Sequence, residues 1–496
     1  MAIPNFPTDS RIVIIGGGIG GLSTAIILAK LGYPVSLIEK NKHPGGMMRS
    51  YSRGGIDCEV GIHYLGALGK GQVLRRCFDF LGVTSDIPVA RMGASGVIDR
   101  YIFQKSFQGP EVFDLPVGFA AYETELKTAF PSESAHVDVF MALLRRSAQQ
   151  LNDLDFLFND QPSDIFIEQA EPLGDVFQRW GFSMALKTII GVPACWIGIP
   201  VDRCPVFYHN MTLASYLFSS WRLVQSGTQM ADAFSRRFRA LGGKITTARE
   251  ARHIQVKDGR ISGVQLDDGE IIPASIVIST VHPKILTGML DENTIKPSYR
   301  NRIRRLKDTR GFFCVHARVD AAQHQEISHN IFSIHTDKKG LIDDSFFIQL
   351  RQSVQAEWNQ LTLIGRGRYE QWRPWEKTRT GRRGKRYENK KREIALQLIA
   401  AAEGIIGPIP SARLLDVYTP LTMRDWVNSP AGSAYGVMKS SDQLLSAALL
   451  NRTSITGLLL AGQSVMAPGV LGTILGSFAT VKFLLGPKRF KRKIEL

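Results

Sequence analysis

Two hydrophobic rhythms meet near the start of the chain. Ile12 to Ile15 is a short, uninterrupted β-branched run, the pattern of a strand buried on both faces. Gly16-x-Gly18-x-x-Gly21 follows, and Leu22, Ala25, Ile26 and Ala29 then recur at helical spacing. Val35 to Ile38 is a second buried run, closed by Glu39. Together these predict one βαβ unit of about thirty residues with glycines at its first turn. In that position Gly16 permits the tight turn, Gly18 lets the backbone approach a pyrophosphate, and Gly21 lets the helix pack close to the strand. The free N–H groups of Gly20 and its neighbours at the helix start favour an anion. Glu39, with Lys40 beside it, stands where a carboxylate accepts from a ribose hydroxyl. The fingerprint alone does not separate NAD from FAD.

Further along, the rhythm changes several times. Residues 76 to 220 are rich in Phe, Leu and Met at helical spacing and show few strand alternations. Ala231 to Leu241 reads as an amphipathic helix ended by Gly242-Gly243. Short strands follow around Ile254 to Val256 and Ile261 to Leu266, turned by Asp258-Gly259, and another at Ser275 to Ser279 after the Asp268-Gly269 turn. Residues 300 to 440 look mixed. Gly457 to Gly462 is a buried strand entering a loop, and Pro468-Gly469 opens a last helix, Val470 to Leu485. On that helix Gly472, Gly476 and Ala479 leave one face bare, which lets something large approach the backbone.

Composition narrows the class. At 496 residues and 44% apolar content, the chain can bury large cores and fills about two domains. Five scattered cysteines with no C-x-x-C pair read as reduced thiols without structural zinc. The opening MAIPNFPTDS has no positive n-region, and no apolar run is long enough to cross a bilayer. The expected location is therefore cytoplasmic and peripheral to a membrane. Net charge is +16, and two segments hold most of it. Arg366 to Arg392 contains twelve basic and three acidic residues, and Lys488 to Lys493 adds five basic ones. Such segments suit an anionic membrane surface, with Trp372, Trp375, Tyr387 and Phe490 as candidate interfacial aromatics. No nucleic-acid module accompanies them, so no nucleic acid is expected. Nothing in the pattern speaks to oligomeric state.

A second glycine pair, Gly45-Gly46, follows Glu39, with Arg49 and Ser50 just beyond. This pair resembles the extended motif of FAD enzymes in the amine oxidase and phytoene desaturase superfamily. Three more stretches are similar to the phytoene desaturase, carotenoid isomerase and retinol saturase group, closest to its retinol saturase-like branch. They are "GIDCEVGIHYLGAL" (55–68), "YTPLTMRDWVNSPAGSAYGV" (418–437) and "GLLLAGQSVMAPGVLGTILGSF" (457–478). There are departures: Met47 stands where many relatives have Arg, Gln463 and Ser464 where many have Asp, and Ser226-Gly227 where a glycine pair is expected.

The resemblance implies an α/β fold, with a discontinuous Rossmann-type FAD-binding domain (GR2-like) and an inserted mixed α+β substrate domain. The expected boundaries are 1–75, 221–300 and 450–487 for the FAD domain, 76–220 and 301–449 for the substrate domain, and 488–496 for a basic tail. It implies non-covalent FAD held by Gly16, Gly18, Gly20, Gly21, Glu39, Lys40, Gly45, Gly46, Arg49, Ser50, Gly462, Gln463, Val470 and Leu471. A soluble NAD(P) reductant is compatible, although no second fingerprint marks its site. The implied reaction is hydride exchange between flavin N5 and a long apolar polyene or isoprenoid lipid: desaturation, saturation or cis–trans isomerisation. His63 and Tyr64 follow the Gly61 turn and are the candidate acid and base. The competing readings are a flavin amine oxidase-like enzyme and a non-enzymatic flavoprotein that binds anionic partners. No metal site is expected.

Overall fold

The computed structural model describes residues 6–104, 107–158, 169–337, 340–447 and 450–496. Its organising layer is a five-stranded parallel sheet in the order Lys244–Thr246, Val35–Ile38, Ile12–Ile15, Ile276–Ser279, Leu458–Leu460. The strands come from the beginning, middle and end of the chain, so the chain leaves this layer twice and returns. A parallel sheet covered on both faces needs continuous apolar strands, and Ile12, Val13, Ile14 and Ile15 are all buried. The first helix, Ile19–Lys30, is buried along almost its whole length because it lies between helices Gly227–Ala240 and Gly469–Leu485. That accounts for an apolar pattern too broad for a surface helix. A three-stranded antiparallel meander, Ala251–Lys257, Arg260–Leu266 and Ile271–Pro273, lies beside the sheet. Asp258 and Gly259 both take positive φ, the two-residue turn that the Asp-Gly pair predicts.

A larger seven-stranded sheet has the order Arg413–Tyr418, Gly311–Asp320, Trp358–Gly367, Ile342–Gln352, Asn330–Thr336, Val97–Phe103, Val112–Pro116. Its last two strands correct the helical reading of 76–220: Tyr101, Phe103, Phe113 and Leu115 alternate inward there, a period of two obscured by the aromatic content around it. Helices Phe119–Ala129, Ser134–Asp153, Met184–Cys195 and Val206–Phe218 supply the other side of this second core.

The expected interfacial aromatics are core residues. Trp372, Trp375 and Tyr387 form one edge-on cluster with Phe313 beneath it, and Trp372 is 1% exposed. The basic segment surrounds this cluster because helix Lys385–Ile406 turns Tyr387, Ala395, Ile399 and Ala402 onto the sheet and leaves its charges outside. The basic tail forms a short helix, Pro487–Lys493, whose Phe490 is wholly buried against Phe158. Neither segment therefore presents the aromatic anchors that its sequence suggested. Among the described residues, no helix is long and apolar enough to cross a membrane.

Candidate active site

Two cavities adjoin at the carboxyl ends of the parallel strands. The polar one, about 530 Å³, is lined by Gly16, Gly18, Gly20, Glu39, Lys40, Gly46, Gly462 and Gln463, all expected there, with Thr280, His282 and Ser464 besides. The apolar one, about 300 Å³, is lined by His63, Tyr64, Val470 and Leu471 among a mostly aromatic and aliphatic wall. Met47 lines both. The run from Ala461 to Gly472 follows one and then the other: Gly462, Gln463 and Ser464 face the polar space, and Met466 to Gly472 face the apolar one.

The glycines divide their tasks as their spacing predicts. A Cβ on Gly18 would meet nothing within 4 Å, because it would point into open space. A Cβ on Gly21 would lie 1.9 Å from the Gly16 carbonyl oxygen, so Gly21 is required for the helix to close on the turn. Gly45 and Gly46 fold back onto the first loop. The Gly45 N–H donates to the Gly17 carbonyl at 2.7 Å, and Gly46 abuts the Gly18 Cα. Gly45 and Gly21 thus shape the polar cavity without lining it. Glu39 accepts from the Gly17 and Asn41 N–H groups, each at 2.8 Å, so its first task is to hold the loop. Lys40 donates to the Asp425 carbonyl at 2.8 Å, and the burial of its amine lowers its pKa.

Two expected cofactor residues lie elsewhere. Arg49 pairs with Asp232 at 3.2 Å and donates to the Pro44 carbonyl, while Ser50 bonds to Thr228. Neither lines either of these two cavities, because the 3₁₀ turn Gly46–Met48 redirects the chain toward helix Gly227–Ala240. Gly472 and Gly476 likewise serve packing. The bare face abuts Ala467, Met466 and the Gly462 carbonyl, while the first turn of that helix reaches the apolar cavity.

The two candidate acid–base residues differ sharply. His63 is half-buried on the wall of the apolar cavity; desolvation is the main cause pushing its pKa down to about 3, with the charges of His316 and Arg351 adding to it. The imidazole is therefore neutral, and its Nδ1 is buried with no hydrogen-bond partner among the described residues. Its ring packs 5.5 Å from Phe347, and its carbonyl accepts from Gln349. Tyr64 stacks on Tyr216, centroid to centroid 4.5 Å, and its hydroxyl donates to Asp99 at 3.1 Å. Asp99 is wholly buried and also accepts from Asn330 at 2.8 Å. Asn330 in turn accepts from Arg222 and Gln349. Sequence reasoning missed this network. Asp99, Asn330 and Gln349 sit singly on different strands, so no local spacing links them to Tyr64. The cysteines are free, and burial raises the Cys58 thiol to about 12, which removes it as a nucleophile. Among the described residues, no cluster has the makings of a metal site.

The parallel sheet, the glycine turn and the polar cavity beside it make a Rossmann-type fold with a cleft placed where such folds hold a dinucleotide. Residues 14–81 match the NAD(P)-binding Rossmann-like domain family. Over 96% of the chain, and 86% of the relative, the sequence is 21% identical to the all-trans-retinol 13,14-reductase of Rattus norvegicus. It is 25% identical to the chloroplastic prolycopene isomerase of Daucus carota, over 95% of the chain and 78% of that protein. A solved oxidoreductase from Methanosarcina mazei shares the fold with a TM-score of 0.65 at 17% identity, covering 95% of this chain and all of that one. The resemblance to the carotenoid and retinol saturase-like oxidoreductases thus extends along nearly the whole chain.

Proposed function

We propose that the protein is an FAD-dependent oxidoreductase that acts on a long, apolar polyene. The observation that carries this reading is the junction of the two cavities at Met47. One side is glycine-lined and polar, and the other is apolar and walled by the start of helix Gly469–Leu485. The open space beside Gly18 and the unpartnered His63 Nδ1 both fit a bound cofactor and substrate. When bound, FAD supplies the two-electron chemistry, exchanging hydride with substrate carbon.

The chain's own residues do the rest. Gly18 and Gly20 present backbone N–H groups to the pyrophosphate, while Gly16, whose N–H donates to the Ile38 carbonyl, shapes the turn; Glu39 keeps lone pairs for a ribose hydroxyl. The N-terminus of helix Gly469–Leu485 favours negative charge at the ring. The apolar wall excludes water. Neutral His63 offers a hydrogen bond without adding charge to a dry site, and Tyr64 offers the hydroxyl proton.

The amine oxidase-like reading draws on the aromatic wall of Tyr64, Trp196, Tyr208, Tyr216 and Tyr435. It is disfavoured because, among the described residues, no Asp or Glu lines that cavity to meet an ammonium group. The test is to purify the protein, identify its cofactor by mass spectrometry, and mix reduced holoenzyme with all-trans-retinol and with prolycopene under anaerobic conditions. Tightly held FAD and conversion of either polyene are expected. A colourless protein, or one that oxidises amines and ignores both polyenes, overturns the reading.

A further inference from the structure

Tyr64 is distinguished among the hydroxyls of the apolar cavity. Thr212 and Ser215 donate to carbonyls of their own helix, and Tyr208 donates to the Met466 carbonyl. Among the described residues that line this cavity, Tyr64 alone has a hydroxyl bonded to a titratable side chain. Asp99 lies on strand Val97–Phe103 directly across from Asn330, so the pair is set by sheet register. The residue is fully buried and has no direct ion pair among the described residues. A buried carboxyl without a counter-ion costs several kcal/mol to ionise, so such a group keeps its proton to unusually high pH. The groups facing it are Tyr64, Tyr101, Tyr216 and Arg222. Burial raises Asp99 to about 7, against the lowering effect of its bonds from Asn330 and Tyr64 and of Arg222.

Resting on the polyene reading above, we propose that Asp99 is the proton reservoir for Tyr64 and that the two act as a relay. In the saturating direction the double bond takes a hydride on one carbon, supplied by the reduced flavin, and a proton on the other. The Tyr64 O–H breaks as the new C–H forms, and the Asp99 O–H breaks as a new Tyr64 O–H forms. Asp99 ends as a carboxylate that accepts from Tyr64 Oη and Asn330 Nδ2, which is the arrangement in the structure. Dehydrogenation runs the same sequence backwards. Asp99 touches no substrate and is a positioning and proton-storing residue; Tyr64 makes the transfer. Neutral His63, with its pKa far down, is a poor source of that proton.

Two measurements test the relay. The first is infrared titration of the holoenzyme, which needs no substrate. The wild type should show a protonated carboxyl band lost as pH rises through about neutrality, absent from Asp99→Asn and shifted in Tyr64→Phe. If Asp99 ionises in the ordinary carboxylate range, or its band is indifferent to Tyr64→Phe, the relay is overturned. The second is the single-turnover rate of reduced holoenzyme with all-trans-retinol or prolycopene. The wild-type rate should fall at alkaline pH. Asp99→Asn should be slower by tenfold or more and lose that pH limb, and adding Tyr64→Phe should slow it little further. Slowing with the limb intact would make Asp99 structural and sink the proposal. If the wild type converts neither polyene, the substrate reading fails, while the infrared result still decides whether Asp99 stores the proton.

Discussion

Buried ionisable side chains set the pH behaviour of this protein. Asp99 is held at about 7, above its ordinary value of 3.8, mainly by burial. The folded chain keeps this proton where the unfolded chain has released it. Its contribution to stability is therefore full below the unfolded value and is lost as pH rises through the folded one. The window runs from near 4 to near 7, and the limiting size is on the order of 4 kcal/mol. Denaturant unfolding should show wild type losing stability relative to Asp99→Asn as pH rises across that window, and a pH-independent difference would refute it. His63 has the opposite sign. Its folded pKa is depressed, so its contribution is present above the unfolded value of 6.5 and is lost as pH falls toward about 3. His63→Ala should retain cofactor and lose about fivefold in turnover, the worth of one hydrogen bond of roughly 1 kcal/mol. Unchanged turnover with reduced stability would make His63 a packing residue.

The glycine turn and the helix after it make a sharper contrast. Gly18 faces open space, whereas a side chain on Gly21 collides with the Gly16 carbonyl. If the proposed FAD site is right, Gly18→Leu should fold normally and lose the flavin spectrum, because its side chain would fill the space assigned to the pyrophosphate. Gly21→Leu should lower stability itself, by more than the roughly 1–3 kcal/mol typical of overpacking, since the obstacle is backbone. Circular dichroism and visible absorbance on the two variants separate these outcomes; equal loss of fold in both would refute the division. This turn was legible in the sequence because all its parts lie within about thirty contiguous residues. Arg49 and Ser50 were misplaced for a related reason: nearness in sequence to Gly45-Gly46 says nothing about where the chain turns after Met48. Helix Gly227–Ala240 decides that. Its first N–H meets the buried Glu59, while its Thr228 and Asp232 take up Ser50 and Arg49.

Taken together, the charged segments support a narrower membrane hypothesis than their sequence did. Arg366 and Arg368 pair with Asp343 and Asp344, and Arg383 is buried against Asp425. What remains exposed includes Lys377, Arg379, Arg382, Lys385, Arg386 and, on the tail, Lys488, Arg492 and Lys493. Attachment to an anionic bilayer would rest on these charges, each worth on the order of 1 kcal/mol near the surface and screened by salt. Changing Arg379, Arg382, Lys385 and Arg386 to Gln should weaken co-sedimentation with anionic vesicles and leave the fold intact. Binding that survives this change and high salt would refute a purely electrostatic contact. Removing the tail is the wrong experiment for membrane binding, because it also removes Phe490 from the core. Phe490→Ala should by itself cost about 3 kcal/mol in unfolding experiments.

By itself the sequence determined the βαβ unit, the strands and turns of the meander, and the motifs that carry the family resemblance, which in turn implied the return of later strands to the same layer. Each depends on apolar period, turn residues or a contiguous motif, and these are local properties of a chain. The tertiary structure alone decided that the tryptophans of the basic segment and Phe490 face inward, because a charged neighbour in sequence does not reveal which side of a helix is covered. It also decided the chain of bonds from Tyr64 to Asp99 and on from Asp99 to Asn330. Those residues are 35 and 266 positions from Tyr64 in the chain, and only the register of strands Val97–Phe103 and Asn330–Thr336 brings them together. A buried polar group must find its partner wherever the fold supplies one, and that choice is written in packing rather than in spacing.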